Sequence, residues 1–389
     1  MDFYKRAFEL KEETINHRRF FHQNAEAGLD MPNAVSYVTK ALKQCGILPY
    51  PCGKGIGATV GRGDRVILLR ADMDALPGIE ESGEEFSSKT NCAHTCGHDL
   101  HAAMLLTAAK MLKENEPSLK GTVKLMFQPA EESLQGCKNM IENGILENPK
   151  VNAALAFHVT SGRLPIGSFM YNSTGAMMNS ADVFKIEVTG KGGHGAYPNL
   201  TIDPINIAVK IYSALQALIP CEADPQKSST LTFGRLAAGE TANVIPNSAV
   251  LEGSLRTNDF SERNRLFKRI SEISQTVANA FNGKAELKVS ASVPVLICDS
   301  SFTEKTVEYL NSLNLINLTS IPNMHAQASE DFALVAQKVP SAFIYLSAGF
   351  NDEKGDYPAH NSKVRFNEAV LPLGSAAFAH IALLWLAKK

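Results

Sequence analysis

The sequence has no run of roughly 18 uncharged apolar residues, the least that crosses a bilayer core. Its most apolar tract, the alanine-rich 376–387, is too short for a span and reads as a buried helix. The first twenty residues mix charges with apolar positions at helical spacing and lack the apolar centre of a signal peptide, so export is not indicated. An excess of one charge is also missing: 38 Lys and Arg against 40 Asp and Glu leave a net charge of −2. No global basic field exists to hold a nucleic-acid backbone or an anionic membrane. The expected partner is therefore a small molecule recognised locally, with neither nucleic acid nor membrane. Cysteine is sparse, an odd and scattered set at 45, 52, 92, 96, 137, 221 and 298. Nothing here resembles the dense, even framework of a small disulfide-bonded domain, and the residues read as reduced thiols in a cytoplasmic protein. Repeats and low-complexity tracts are absent. What remains is an ordinary globular composition, 44% apolar and 20% charged, on 389 residues, enough for two or three domains with cores of their own.

Between 66 and 158, short β-rich runs alternate with amphipathic helices, which is how parallel sheets with crossover helices are written. VILLR (66–70) leads into Asp72 and Asp74, and a helix follows over 99–113. TVKLMFQ (122–128) leads into Glu131 and Glu132, and after a helix stopped by Gly144 the run NAALAFH delivers His158. Three strands thus end in acidic or imidazole side chains, at the edge where open α/β sheets place their ligands. From 182 the pattern changes to βαββαβ, with Asp203 as N-cap, Pro204 at the first helical position and a long helix over 261–281. This split βαβ order predicts a ferredoxin-like domain over 182–292, inserted into an α/β catalytic domain of 1–181 and 293–389.

The densest chemical cluster is HTCGHDLH (94–101), with Cys96 and His98 two apart at a helix entry. Thiolate and imidazole both bind zinc, manganese, cobalt or nickel, and a helix N-terminus favours the thiolate. A purely structural Cys–His pair is the simpler reading of these two alone, and His94 and His101 read as residues behind the site or on the helix surface. Glu131 and Glu132 are read either as a solvated pair or as one metal ligand beside one proton acceptor. His158 in an apolar strand could equally be a core histidine, and His360 in YPAHNS a surface one. Taken together, Cys96, His98, Glu132, His158 and His360 supply five donors from four chain segments, enough for a two-metal site. One of Asp72 and Asp74 is expected to orient a bound imidazole through its second N–H. GKGGHG (190–195) places His194 in a glycine-rich turn without the spacing of a phosphate-binding loop, so nucleotide binding is the weaker reading.

In order, RADMDALP, HTCGHDLHAAML, GTVKLMFQPAEE, the His158 strand end, GKGGHGAYPNLTIDPI, ETANVIPNSAVLEGSLRT, ASEDFA and AHNSKVRFNEAVLPLG resemble the aminoacylase-like metallopeptidases. The likeness is to the branch containing hippurate hydrolase, N-acetyldiaminopimelate deacetylase and the plant auxin-conjugate hydrolases, and it covers nearly the whole chain. It implies a catalytic domain holding two divalent metal ions on Cys96, His98, Glu132, His158 and His360, with an inserted lid and dimerisation domain. It also implies Glu131 as general base and His194 as the lid histidine that holds the oxyanion, in some members across a homodimer interface. Asp74 joins them as a catalytic residue, and Asn243 and Arg256 resemble lid positions that face substrate. Asp72 stands where many members have a metal-binding histidine, and Cys96 where they have a bridging carboxylate. The expected reaction is hydrolysis of an N-acyl amino acid. The alternatives are a dipeptidase or carboxypeptidase with the same site, a metal-storage protein and a nucleotide-dependent oxidoreductase.

Overall fold

The computed structural model describes residues 1–313 and 319–387. Along the chain run α1 (Lys11–Gln23), α2 (Pro32–Gln44), β1 (Pro49–Cys52), β2 (Gly55–Gly61), β3 (Val66–Asp72), α3 (His98–Glu114), β4 (Thr122–Gln128), β5 (Ala153–Thr160) and β6 (Phe169–Met170). A second set follows: β7 (Ala181–Thr189), α4 (Pro204–Gln216), β8 (Ser229–Ala238), β9 (Ser248–Thr257), α5 (Phe260–Ala280) and β10 (Lys284–Val293). The chain then returns through α6 (Ser300–Asn311), β11 (Ser320–Ile321), β12 (Ser341–Ser347) and α7 (Leu371–Ala387). These form two compact units. One is Met1–Met177 with Ile297–His325 and Asp331–Lys389; the other is Met178–Leu296 with Ala326–Glu330. The chain passes between them at 177/178 and 296/297, where sequence reading put 181/182 and 292/293, and the short return of 326–330 to the second unit had no signal in the sequence.

The first unit is built on one sheet in the order β1-β2-β4-β3-β5-β12-β6-β11. Its centre is parallel, β4 to β3, β3 to β5 and β5 to β12. The central strands are buried at nearly every position, as parallel strands covered by helices on both faces must be. β5 runs on to Thr160, so His158 lies inside the strand and not at its end. Gly144, at φ +83°, follows the helix over Gly136–Glu142 as the left-handed stop that the sequence indicated. α7 and the turn before it extend further than the expected helix: Glu368–Ala387 is long and apolar enough to cross a membrane by length and composition. Two thirds of it is buried inside the fold, the pattern of a core helix. The second unit has the sheet order β8-β9-β7-β10, with α4 and α5 packed on one face around Phe184, Ile186, Ile211, Leu251 and Ile270. Asp203 caps α4 by accepting from the Ile205 and Asn206 amides, with Pro204 beside it.

α1 and α3 of the first unit are locked by buried charge. Asp99, in the first turn of α3, accepts from Arg18 Nε at 3.0 Å and His22 Nδ1 at 2.8 Å, and His22 Nε2 meets Glu80 at 3.0 Å. Burial opposes charge on His22, but the carboxylates on both sides of the ring win and push its pKa up to about 9. A pKa raised from 6.5 to about 9 means that protonated His22 stabilises the fold fully below the lower value, and that this contribution fades as pH rises through the upper one. His22→Gln should therefore lower the melting temperature most at about pH 6, with the gap to the native chain narrowing by about pH 10. Thermal melts at both values check this; a gap independent of pH contradicts it.

Candidate metal centre and active site

The head of α3 sets the site. Gly97 takes φ +92°, a left-handed conformation that suits glycine, and a Cβ there would stand 2.4 Å from Val159 Cγ2. The turn is thereby pressed against β5, with Cys96 on one side of it and His98 on the other. Cys96 Sγ lies 3.5 Å from His158 Nε2 and 3.3 Å from His360 Nε2. Glu132 Oε1 lies 3.4 Å from His360 Nε2 and 3.9 Å from His98 Nε2. Two donor triads result, Cys96–His98–His158 and Cys96–Glu132–His360, each with its ligand atoms within 4.8 Å of one another, and Cys96 belongs to both. Glu131 joins His98 and Glu132 in a third such group. Two positive φ angles, +53° at Ala130 and +70° at His360, show strained backbone where the acidic pair and the last histidine are presented. The His360 amide is held there by the Thr95 carbonyl at 2.8 Å.

The surrounding residues aim the donors. His98 Nδ1 donates to the Asp74 carbonyl at 2.8 Å, which leaves Nε2 for the cluster, and Asp74 Oδ2 accepts from the Glu132 amide at 3.0 Å. Asp74 thus orients an imidazole with its main chain and a glutamate with its side chain. Asp72 does something else: its Oδ1 accepts from His101 Nδ1 at 2.5 Å, while His101 Nε2 accepts from the Val159 amide at 2.8 Å. With both nitrogens engaged, His101 does not present a lone pair to the cluster, and it is fully buried instead of lying on the helix surface. His94 is buried too. Behind Asp72 sits Arg70, whose Nη1 is 2.8 Å from Asp72 Oδ2. Its Nε donates to Gln128 at 2.9 Å and its Nη2 to Asp331 at 3.2 Å. Sequence reading passed over Arg70, Gln128 and Asp331. The available signal was a lone arginine in the all-buried strand VILLRAD, which requires a carboxylate partner.

The donor set fits a divalent cation. His98 Nε2 and Glu132 Oε1 are buried without a hydrogen-bond partner, which an ion between them would supply. Thiolate, imidazole and carboxylate together suit borderline transition metals. Burial pushes the Cys96 thiol up to about 12. Burial, reinforced by His101, pulls His158 well below its usual range, which favours the neutral ring. Burial alone would neutralise His98, but the Asp72 carboxylate beside it holds it well above the usual imidazole range.

In the second unit, Gly193–His194 and Val244–Ile245 form a small antiparallel pair with His194 opposite Val244. The Gly195 amide donates to the Asn243 carbonyl at 2.9 Å, so His194 and Asn243 are exposed neighbours at the end of this pair. Arg256 stands elsewhere, opposite Thr230 near the end of β9, with Nη1 3.4 Å from Ser329 Oγ.

A sheet of this topology carrying a sulfur, three imidazoles and a carboxylate beside a further buried acid defines a metal-dependent amidohydrolase working with two divalent ions. The chain belongs to Peptidase family M20/M25/M40, whose model matches residues 68–384. It is similar to N-acetyl-L-cysteine deacetylase of Bacillus subtilis, 34% identical across 93% of this chain and 85% of that one. It is equally similar to thermostable carboxypeptidase 2 of Saccharolobus solfataricus, 34% identical across 96% of both. Among solved structures it resembles the YXEP protein of Bacillus subtilis, a dinuclear metal-binding peptidase of the M20 family, with a TM-score of 0.82 at 29% identity over 98% of this chain and 99% of that one.

Because Cys96 begins as a thiol and binds metal as a thiolate, loading the site should release protons, and affinity should rise with pH across the neutral range. Calorimetric titration with Zn²⁺ in buffers of different ionisation enthalpy measures this. Binding without proton release would contradict the donor assignment.

Proposed function

We propose that this chain hydrolyses the amide bond of N-acyl-L-amino acids, N-acetyl, N-benzoyl or related, giving a carboxylic acid and a free amino acid. The observation that carries the reading is the buried Glu131 carboxylate set within 4.8 Å of the donor atoms of His98 and Glu132, since binding alone does not require a second acid there. Cys96, His98, Glu132, His158 and His360 would hold the metal ions in this reading, with Cys96 common to both triads. Manganese, zinc, cobalt or nickel would suit these donors, and two such ions would polarise the scissile carbonyl and make water more acidic.

Glu131 takes the proton from the attacking water and returns it to the leaving nitrogen as the carbon–nitrogen bond breaks. His194 donates to the oxygen as it gains charge. Arg256 offers a planar fork for the substrate carboxylate, and Asn243 lies beside His194 to fix the acyl side. Asp74 acts as a positioning residue. A carboxypeptidase or dipeptidase reading shares all of this, because Arg256 would grip a peptide C-terminus equally well, and the Saccharolobus relative favours it. Turnover of N-acetyl amino acids well above that of dipeptides supports the first reading, and the reverse order supports the second. In either case Glu131→Gln should keep its metal and lose turnover by about 10²–10⁴-fold, the range expected for a proton-transfer group. Near-normal activity would overturn the assignment.

Arg256 lies eight residues beyond Ser248 along β9, about 26 Å at strand rise, while His194 and Asn243 lie beyond the Ser248 end. One amino-acid-sized substrate cannot touch both within a single chain. We infer a homodimer in which His194 and Asn243 serve the other copy. An exposed apolar stripe on α4, Ile205, Val209 and Tyr212, supports this, as does its continuation into the open edge strand β8 through the Tyr212–Phe233 ring contact at 5.6 Å. A reducing cytoplasmic setting suits its seven free cysteines. Mixing equal amounts of inactive His194→Ala and Glu131→Gln chains should restore about a quarter of native activity, because half the dimers would be mixed and each would hold one intact site. No recovery after subunit exchange would place His194 in its own chain's site.

A further inference from the structure

β5 has two neighbours of unequal length. On one side β12 follows it to the end, with Tyr345 opposite His158, Leu346 opposite Val159 and Ser347 opposite Thr160. On the other side β3 pairs with it only as far as Arg70 opposite Ala156. Past that point the main-chain groups of β5 that face β3 have lost their strand partner, and a buried peptide without partners is costly. Val159 is the residue concerned. Its amide donates to His101 Nε2 at 2.8 Å, and its carbonyl accepts from His158 Nδ1 at 2.7 Å. Two imidazoles thus complete the ladder that β3 leaves unfinished.

We infer that His101 is a positioning residue for the metal ligand His158: by standing in for the missing strand it holds the Val159 amide, and the carbonyl of the same residue fixes the ring and tautomer of His158. The inference rests on the two-cation reading above. An imidazole nitrogen that accepts a hydrogen bond carries no proton, so His101 holds its proton on Nδ1 and gives it to Asp72 Oδ1 at 2.5 Å. Asp72 is kept in place by Arg70, and Arg70 by Gln128 and Asp331, all fully buried. The same logic at His158 puts its proton on Nδ1, and the Nε2 lone pair is left 3.5 Å from Cys96 Sγ. Val159 is also wedged from the other side by the Gly97 turn, so a loose Val159 would disturb both Cys96 and His158. Moving the His101 proton to Nε2 would set two N–H groups against each other at Val159 and two acceptors at Asp72, and moving the His158 proton to Nε2 would set a lone pair against the Val159 carbonyl.

The test uses the full chain, stripped of metal and titrated with Co²⁺, reading ion stoichiometry and the visible absorption of the cobalt sites. The native chain should take up two ions. His101→Phe keeps a flat ring but no acceptor. It should weaken the ion held by Cys96, His98 and His158 by about 10–100-fold, the usual cost of losing a residue that orients a ligand, with a changed absorption band. His101→Gln, whose amide oxygen can accept from the Val159 amide, should stay within a few-fold of the native chain. A Phe variant that binds both ions with native affinity and spectrum would overturn the inference, as would a Gln variant as weak as the Phe one. If instead the native chain itself fails to bind two ions, the two-cation reading is what has failed. Should the Phe variant not fold, ¹⁵N imidazole spectra of the native chain decide. A His101 signal protonated on Nδ1 and unmoved by Zn²⁺ supports the role, and one protonated on Nε2 excludes it.

Discussion

The structure depends on how closely the head of α3 approaches β5. Gly97 has no side chain, and the 2.4 Å that a Cβ would leave to Val159 shows that no other residue fits without moving the helix. That single contact brings the Cys96 sulfur against the imidazoles of His158 and His360, and turns His98 to face Glu132. Strained backbone at Ala130 and His360 is tolerated around it because the rest of the sheet is rigid. The donors are therefore held by the packing of a parallel sheet and its crossover helix, so they converge before any ion arrives.

Charge is organised in two buried layers on α3. Asp99 in its first turn ties Arg18 and His22 of α1 to the helix, while two residues on, toward the opposite side, His101 connects to Asp72 and Arg70 beneath the site. Burial alone would leave Asp72 protonated, but Arg70 and the neighbouring imidazoles keep its carboxyl well below the usual range. Asp99, in contact with Arg18 and His22, is lowered likewise. Each anion is matched by its own cation, Asp72 by Arg70 and Asp99 by Arg18. The negative charge of Asp72 and Asp99 is in this way paired with cations of the fold, and the cluster itself consists of imidazole nitrogens, one sulfur and the acidic pair.

Much of this can be read from the chain. β3 and β4 are apolar runs of strand length, and β4 begins and ends where TVKLMFQ does. The candidate donor types stand out because Cys96 and His98 flank a helix entry and the paired glutamates follow the end of β4, although His158, expected at a strand end, lies two residues inside β5. The caps at Asp203 and the stop at Gly144 follow from local backbone chemistry that needs no tertiary partner. Other features depend on partners far along the chain. Arg70 is paired with Asp331, 261 residues away, and periodicity carries no trace of such a pair. His101 looks like one more helix residue, because its function is set by where β3 stops pairing with β5, a matter of sheet register. α7 starts at Leu371, ahead of the alanine-rich 376–387, because Pro372 is tolerated in the first turn and Gly374 and Ser375 are buried within the fold. Likewise, the separation of Arg256 from His194 becomes visible only once β9 is known to be one unbroken strand.

The central claim is that Cys96 is shared by two cations. Anomalous diffraction from crystals of the Zn²⁺-loaded protein tests it most directly. The account predicts two peaks about 3.5–4 Å apart, as in other two-metal hydrolytic sites, with the Cys96 sulfur in contact with both. A single peak, or two peaks with Cys96 bound to neither, would contradict it.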